Sequence, residues 1–247
     1  MVAITFDNMG NAADVGRGTA TGPDESEPGL RVGYPRILRM LADLDLTATF
    51  FVEGWNAVHH PERVRELAAA GHEVGLHGWV HEPWSTLDPL SERAILAAGK
   101  AALASIDVEI NGFRSPGGGR TSHTLAILSD LGFSYDASLG SGFQLDQTGI
   151  ALLPFIWPGV DWWWYNQRSP VADTATWRHG WEQLLDDADG GHPLVLIAHA
   201  RVSAVDDERA AALAGILRRI AEDATFDAVP MSELAQRVRD QGRGPVG

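Results

Sequence analysis

The chain has 247 residues, of which 45% are apolar and none is cysteine. This length suits one domain with its own core, and the absence of cysteine excludes disulfides, thiolate metal ligands and a cysteine nucleophile. The formal net charge of −14 argues against nucleic acid and anionic membranes as partners, since both are polyanions. No apolar run approaches the ~18 residues of a membrane helix, and no signal peptide is apparent, so we expect a cytoplasmic protein that does not engage the membrane.

Short β-rich runs alternate with helical patterns along the chain. The predicted strands are Val2–Phe6, Thr47–Val52, Glu73–Leu76, Gly112–Arg114, Phe133–Tyr135, Leu152–Ile156, Leu194–Ala198 and Asp227–Val229. The predicted helices are Tyr34–Leu44, Pro61–Ala70, Pro89–Ile106, Ser122–Leu131, Ala175–Asp187, Asp206–Glu222 and Ser232–Arg239. This alternation is typical of a parallel sheet covered by helices, and seven or eight units favour an α/β fold of the distorted (β/α) barrel type, in a single domain.

Two long segments, residues 8–31 and 140–170, lack this periodicity. Loops of such length inside a compact domain are usually functional. We expect the domain to cover residues 1–241 and the remainder, 242–247, to form a frayed tail.

Polar side chains follow several of the predicted strands. Asp7, His77 and Arg114 stand at or just after strand ends, Asp161 follows Leu152–Ile156 closely, and His199 directly follows Leu194–Ala198. In a (β/α) barrel the carboxyl ends of the strands form the face that carries the chemistry. We therefore expect these side chains to share one site, although polar residues are also common wherever a strand ends at the surface.

The sharpest local signal is the pair His77 and His81, four residues apart. On a helical turn this spacing places both imidazoles on one side, as a metal site requires, but two surface or capping histidines would show the same pattern. Asp7 and Asn8 would add a third ligand and a base, and the guanidinium of Arg114 could hold Asp7 in a fixed orientation. An ordinary structural Asp–Arg pair is the alternative.

The chain contains nine tryptophans, and Trp157, Trp162 and Trp163 lie in one short segment. Aromatic rings pack against the apolar faces of sugars and of planar heterocycles, and they are also enriched at subunit interfaces. We expect this segment to form a substrate wall, with an interface or plain core as alternatives. Trp79, between the two motif histidines, strengthens the interpretation as a pocket.

Together these motifs resemble the NodB-type polysaccharide deacetylases, carbohydrate esterase family four. The five matching segments, in the family's order, are Thr5–Asn8, His77–His81, Arg114–Pro116, Asp161–Trp162 and Leu196–His199. They correspond to the family's Thr-Phe-Asp-Asp, His-(Ser/Thr)-x-x-His, Arg-x-Pro and Asp-Trp motifs and to its strand ending in histidine. The chain is most similar to the branch that contains cyclic-imide hydrolases, allantoinase-like proteins and some peptidoglycan deacetylases.

The resemblance implies a metal-dependent hydrolase of amide carbon–nitrogen bonds, with zinc, or else cobalt or nickel, as the divalent ion. It assigns the metal ligands to Asn8, His77 and His81. It makes Asp7 the general base, oriented by Arg114, and His199 the general acid, tuned by Asp161. Substrate would lie against Pro116, Gly117, Trp79, Trp157, Trp162 and Trp163.

Two positions depart from the family pattern. Asn8 stands where the family has a carboxylate ligand, so the site loses one negative charge and should hold metal less tightly. Gly117–Gly119 replaces an aromatic residue that many relatives carry, which should widen the mouth of the site or free a backbone N–H for an oxyanion.

Three functions fit these features. The first is removal of an N-acyl group, most simply acetyl, from an amino-sugar-like small molecule or biosynthetic intermediate inside the cell. The second is opening of a cyclic amide or imide ring, and the third is carbohydrate binding without catalysis. The retained base and acid candidates argue against the third, and the similarity to the imide branch makes a homo-oligomer reasonable. Six other histidines, which match no motif, are interpreted as structural or surface residues: His59, His60, His72, His123, His179 and His192.

Overall fold

The computed structural model describes residues 1–188 and 193–242 of the chain. The strands of this part are β1 (Val2–Asp7), β2 (Thr49–Val52), β3 (Glu73–Leu76), β4 (Gly112–Phe113), β5 (Tyr135–Asp136), β6 (Gln144–Leu145), β7 (Ala151–Leu152) and β8 (Leu194–His199). The α-helices are α1 (Ala12–Gly16), α2 (Tyr34–Asp43), α3 (Gly54–His59), α4 (Pro61–Ala69), α5 (Pro89–Ala104), α6 (Thr124–Asp130), α7 (Thr174–Asp187), α8 (Ala200–Ser203), α9 (Asp207–Glu222) and α10 (Met231–Gly242). Among the described residues, no helix is long and apolar enough to cross a bilayer.

The strands form one curled sheet in the order β6-β7-β5-β4-β3-β2-β1-β8. Neighbouring strands are parallel except for the antiparallel pair β6 and β7. The predicted distorted (β/α) barrel is thus confirmed, although continuous strand pairing does not close it. The segment after β7 lies between the two ends of the sheet. It makes two isolated bridges, Leu139 with Phe155 and Val160 with Ile197, the latter on β8.

Alternation along the buried strands separates two apolar layers. On β1, Val2, Ile4 and Phe6 pack outward against the helices, whereas Ala3 belongs to the cluster inside the barrel. Successive side chains of a strand point to opposite faces. Asp7, the last residue of β1, therefore shares the inward face with Ala3.

Helix α10 fills the interior of the barrel away from the site. Its buried residues Met231, Leu234, Ala235 and Val238 follow the i, i+3, i+4, i+7 spacing of one helical face. They join inward-facing strand residues such as Phe51 in a single cluster. The far end of the barrel is therefore packed, which leaves the carboxyl ends of the strands as the open end.

Several predicted boundaries differ from those of the structure. The predicted strand Leu152–Ile156 is replaced by the shorter β7, Ala151–Leu152, and Phe155 contributes only a single bridge. Strand β6 lies inside the segment 140–170, where glycines obscure a two-residue strand. The predicted strand Asp227–Val229 contains only the bridge of Ala228 with Val2, since its pairing does not continue. Gly242 is the last residue of α10, and the rest of the predicted tail, 243–247, lies outside the described residues.

Candidate active site

Side chains from separate strand ends meet in one cavity of about 210 Å³ at the open end of the barrel. Asp7 on β1 pairs in register with His199 on β8. His77 and Arg114 each come one residue after the paired residues Leu76 and Phe113, which face the helices. Alternation therefore turns both side chains inward. Its polar lining includes the motif residues Asp7, Asn8, His77, His81, Arg114 and His199, together with Arg17 and Ser115.

Asp7 is held by a buried ion pair. The Nη1 of Arg114 donates to Oδ1 of Asp7 over 2.6 Å and to the hydroxyl of Thr5 over 2.8 Å. The Nε of Arg114 donates to the carbonyl of Ala137 over 2.9 Å, and its guanidinium lies 4.1 Å from the Phe51 ring centroid. Because the arginine is fixed on three sides, the carboxylate that it pairs with has one orientation.

His199 belongs to a second buried pair. Asp161 Oδ1 lies 2.6 Å from His199 Nδ1, and Oδ2 accepts the backbone N–H of His199 and the hydroxyl of Ser203. The N–H of Trp162 also donates to Asp161. Burial by itself would lower the pKa of His199, but the charge and hydrogen bond of Asp161 outweigh it, and this pKa lies above its ordinary value. The imidazole is therefore predisposed to carry a proton, with Nε2 left for the cavity.

The two motif histidines flank a turn rather than the expected helical turn. Gly78 (φ +74°) and His81 (φ +65°) are both left-handed, and the carboxylate of Glu82 accepts the N–H groups of Trp79 and Val80. This turn still brings the two imidazole centroids to 5.1 Å. The predicted proximity of His77 and His81 is thus present, but a glycine-based turn produces it instead of a helix.

Both imidazoles are neutral. Burial lowers the pKa of His77 to about 3, and burial together with the neighbouring His77 lowers the pKa of His81 to about 3. The Nδ1 of His77 lies 2.8 Å from the carbonyl of Arg114, which fixes the proton there and leaves Nε2 as an acceptor. Neutral imidazole with an oriented second nitrogen is the form that binds metal ions.

Asn8 completes a donor set that fits a divalent cation. Its Oδ1 is buried and has no hydrogen-bond partner among the described residues, which is costly unless a ligand satisfies it. Its left-handed backbone (φ +61°) is one that asparagine tolerates. Within the described ranges, no three His, Cys, Asp or Glu side chains are grouped closely enough to hold a metal ion. A metal site among these residues would therefore need the amide oxygen of Asn8 beside the two imidazoles, whose nitrogens are ordinary zinc ligands.

The wall of the cavity divides the predicted substrate-binding residues into two groups. Gly117, Trp157 and Trp162 line it, together with the apolar side chains of Phe155, Val160 and Ile197. Pro116 is buried outside the lining and lies against Gly78. Trp79 packs against Gly54, and Trp163 stacks edge-on against Trp164. Gly117 (φ +69°) has no atom within 4 Å of the place of a Cβ, so its backbone borders open space.

Sequence reasoning missed two buried residues after β2. Glu53 accepts the N–H of Met9, and Asn56 donates both to the carbonyl of Met9 and to Glu53. Burial raises the pKa of Glu53 to about 8, so this carboxyl is largely protonated at neutral pH. These contacts clamp the chain next to Asn8. The signal was present, because Glu53 directly follows a buried strand, as the other site residues do.

Arg17 is a further lining residue without a motif, contributed by the long segment after β1. None of His59, His60, His72, His123 and His179 lines the cavity, and His192 lies outside the described residues.

Comparison with known proteins places the chain in a family. The family model described as polysaccharide deacetylase matches residues 1–135, more than half of the chain. The chain therefore belongs to the polysaccharide deacetylase family, whose members hydrolyse amide carbon–nitrogen bonds.

Individual relatives agree with this assignment. The crystal structure of a Mycobacterium smegmatis protein assigned to the polysaccharide deacetylases is 30% identical, with a TM-score of 0.84, and the match covers 97% of this chain and 90% of that one. Puue allantoinase shares the fold with a TM-score of 0.79 at 18% identity, over 97% of this chain and 90% of that one. A peptidoglycan deacetylase of Helicobacter pylori is 31% identical over 121 residues, which are 47% of this chain and 41% of that protein. The chain spans about half the length of the curated relatives it matches.

Proposed function

We propose that this protein hydrolyses the amide bond of an N-acylated, amino-sugar-like small molecule and releases a carboxylic acid, acetate in the simplest case, and a free amine. The observation that carries the proposal is that Asp7, held by Arg114, and His199, held by Asp161, line the same cavity. The names of the relatives, which include peptidoglycan and chitooligosaccharide deacetylases, support an acetamido group as the target.

The two pairs suit the two proton transfers of amide hydrolysis. Arg114 engages only Oδ1 of Asp7, so Oδ2 is left to accept the proton of the attacking water. The backbone N–H of Gly117, a residue of the cavity lining, would stabilise the oxyanion that develops on the former carbonyl oxygen. His199 then donates its Nε2 proton to the departing nitrogen, which would otherwise be a poor leaving group.

The proposed ligands Asn8, His77 and His81 would hold a divalent ion, with zinc first and cobalt or nickel as alternatives. Such an ion, when bound, supplies Lewis acidity that polarises the acyl carbonyl and acidifies a water molecule. Because the amide oxygen of Asn8 is neutral, it compensates the positive charge of the ion less than a carboxylate would, so we expect the protein to retain the metal less tightly.

The size and lining of the cavity favour a small substrate. The cavity of about 210 Å³ around Asp7 and His199 has room for one ring at the scissile amide. The rings of Trp157 and Trp162 offer apolar faces on which a sugar can pack.

Opening of a cyclic amide or imide is the second candidate. The apolar lining by Phe155, Val160 and Ile197 would accept a planar heterocycle equally well. The same base and acid would then cleave a ring bond and release no separate acid.

A product analysis tests the proposal. The purified chain, stripped with a chelator or loaded with zinc, cobalt or nickel, is incubated with N-acetylglucosamine, hydantoin and succinimide and followed by NMR. We expect acetate and free amine in equal amounts. Ring opening alone would favour the second candidate, and no turnover by folded protein in any metal state would contradict both and favour a binding protein.

Location in the cytoplasm and a homo-oligomeric state stay predictions of the sequence.

A further inference from the structure

A second cavity of about 430 Å³ lies beside the first. The two share Asn8, Arg17, Trp162 and His199 as lining residues. The two cavities are therefore adjacent, and a substituent on a molecule bound at Asp7 and His199 lies beside the second cavity. Anything recognised there becomes a determinant of which substrate is cleaved.

The second cavity is basic although the chain is acidic. The protein has 33 acidic and 19 basic residues, yet Arg17, Arg201 and Arg209 line this cavity with Asp14 as its one acidic lining residue. The two oxygens of Asp14 are shared, 2.7 Å from Arg17 Nη2 and 2.9 Å from Arg201 Nη1. Buried Glu27 is more distant, 3.7 Å from Arg201 Nε. The three guanidinium groups therefore keep donors that these carboxylates do not use.

Of the three arginines, Arg209 has the guanidinium best fixed in position for binding an anion. Its guanidinium stacks 3.9 Å from the ring centroid of Tyr165, and its Nη1 donates to the carbonyl of Val202 over 3.1 Å. No ion pair among the described residues includes Arg209. A guanidinium that is fixed by stacking and lacks a carboxylate partner is suited to bind a carboxylate or phosphate with little loss of side-chain freedom.

We propose that the second cavity binds an anionic substituent, a carboxylate or a phosphate, on the molecule whose amide is cleaved in the first. The inference rests on the proposed function and narrows its substrate class to acidic N-acylated amino sugars. Arg209 provides the fixed contact, and Arg17, which lines both cavities, is placed to contact the substrate between them.

Matched substrates test this specificity. We compare kcat/KM for N-acetylglucosamine, its 6-phosphate and N-acetylmuramic acid, the last two carrying a phosphate and a carboxylate. At least one acid should be preferred by about tenfold or more, and added salt should reduce the preference because screening weakens charge attraction. Arg209→Gln should lower the ratio of acidic to neutral kcat/KM about tenfold, and Arg17→Gln should lower it less.

The control variant is Arg218→Gln. Arg218 lies on the same helix as Arg209, is exposed and does not line the cavity, so both rates should be unchanged. Thermal unfolding of Arg209→Gln shows whether loss of the stack on Tyr165 destabilises the protein. The side chain of Arg17 is 60% exposed, so Arg17→Gln tests the anion site without removing that stack.

The outcomes separate this inference from the proposed function. Equal turnover of neutral and acidic substrates would overturn the inference and leave amide hydrolysis standing. If no substrate is turned over, calorimetric titration with N-acetylmuramic acid and inorganic phosphate still decides. Binding that weakens about tenfold or more in Arg209→Gln supports the anion site, and equal binding by both proteins, or none, overturns it.

Discussion

Two buried aspartates belong to the candidate active site and differ in their surroundings, since Asp7 lines the cavity and Asp161 does not. Asp7 lines the cavity and pairs through one oxygen with Arg114, which leaves its other oxygen outside that pair. Asp161 lies behind His199, and both of its oxygens accept hydrogen bonds from His199, Trp162 or Ser203. The same side chain can therefore accept a proton in one place and only support a neighbour in the other.

The largest effect is expected at the side of Asp7. Asp7→Asn removes the proton acceptor, and kcat should fall by roughly 10²–10⁴, the usual contribution of a general base. The measurement is acetate release from the preferred N-acetyl sugar. Asp45→Asn is the matched control, because Asp45 is exposed and its left-handed backbone (φ +52°) suits asparagine. Turnover of Asp7→Asn close to that of the wild type would show that another group is the base.

The role of Asp161 is tested by the pH dependence of kcat/KM in Asp161→Asn. His199 must be protonated to act as an acid, so kcat/KM should decline as pH rises through its raised pKa. Without the charge of Asp161, burial becomes the dominant influence on the imidazole, with Asp7 and Arg114 acting in opposite directions, so the pKa of His199 should fall. The basic limb of the pH profile should therefore move to lower pH, with a loss of about tenfold or more at neutral pH. A basic limb at the wild-type position would mean that Asp161 does not tune His199.

The sequence predicts the site residues that stand at strand ends, but not those whose position depends on packing. Asp7, His77, Arg114 and His199 could be placed because strand ends of a parallel barrel share one rim and alternation sets the facing direction. The same rule would have found Glu53, which follows β2 directly.

Other features depend on packing that a sequence pattern does not contain. Nothing local distinguishes Trp162, on the cavity wall, from its neighbour Trp163, which packs against Trp164. Arg17 comes from an aperiodic segment, and its position follows from contacts such as the one with Asp14. Strand β6 has two residues and, in the part of the chain that the structure describes, pairs with β7 alone, so its pattern is too short to detect.

The proposed metal ligands line the same cavity as Asp7 and His199, and Asn8→Asp tests their role. The substitution restores a negative charge beside two neutral imidazoles, and metal retention should tighten by about tenfold or more. Metal content after dialysis against graded chelator measures this without reference to activity. Unchanged retention would count against Asn8 as a ligand.

The smallest effect is expected on the cavity wall. Trp162 is 42% exposed, so Trp162→Ala should raise KM by roughly 2–10-fold, the scale of one aromatic contact, and leave the midpoint of thermal unfolding nearly unchanged. Trp163→Ala removes a packed ring, so it should lower the midpoint of thermal unfolding and leave KM nearly unchanged. The same response from both variants would mean that the lining does not select substrate.

The central claim is that Asp7 and His199 act on one scissile bond from the same cavity. A double-mutant cycle with Asp7→Asn, His199→Gln and the combined variant, measured as kcat/KM for acetate release, tests it most directly. Groups that act as a unit show strongly non-additive losses, so we expect the double variant to lie within about tenfold of the slower single variant. A double variant slowed by the full product of the two single effects would contradict the account.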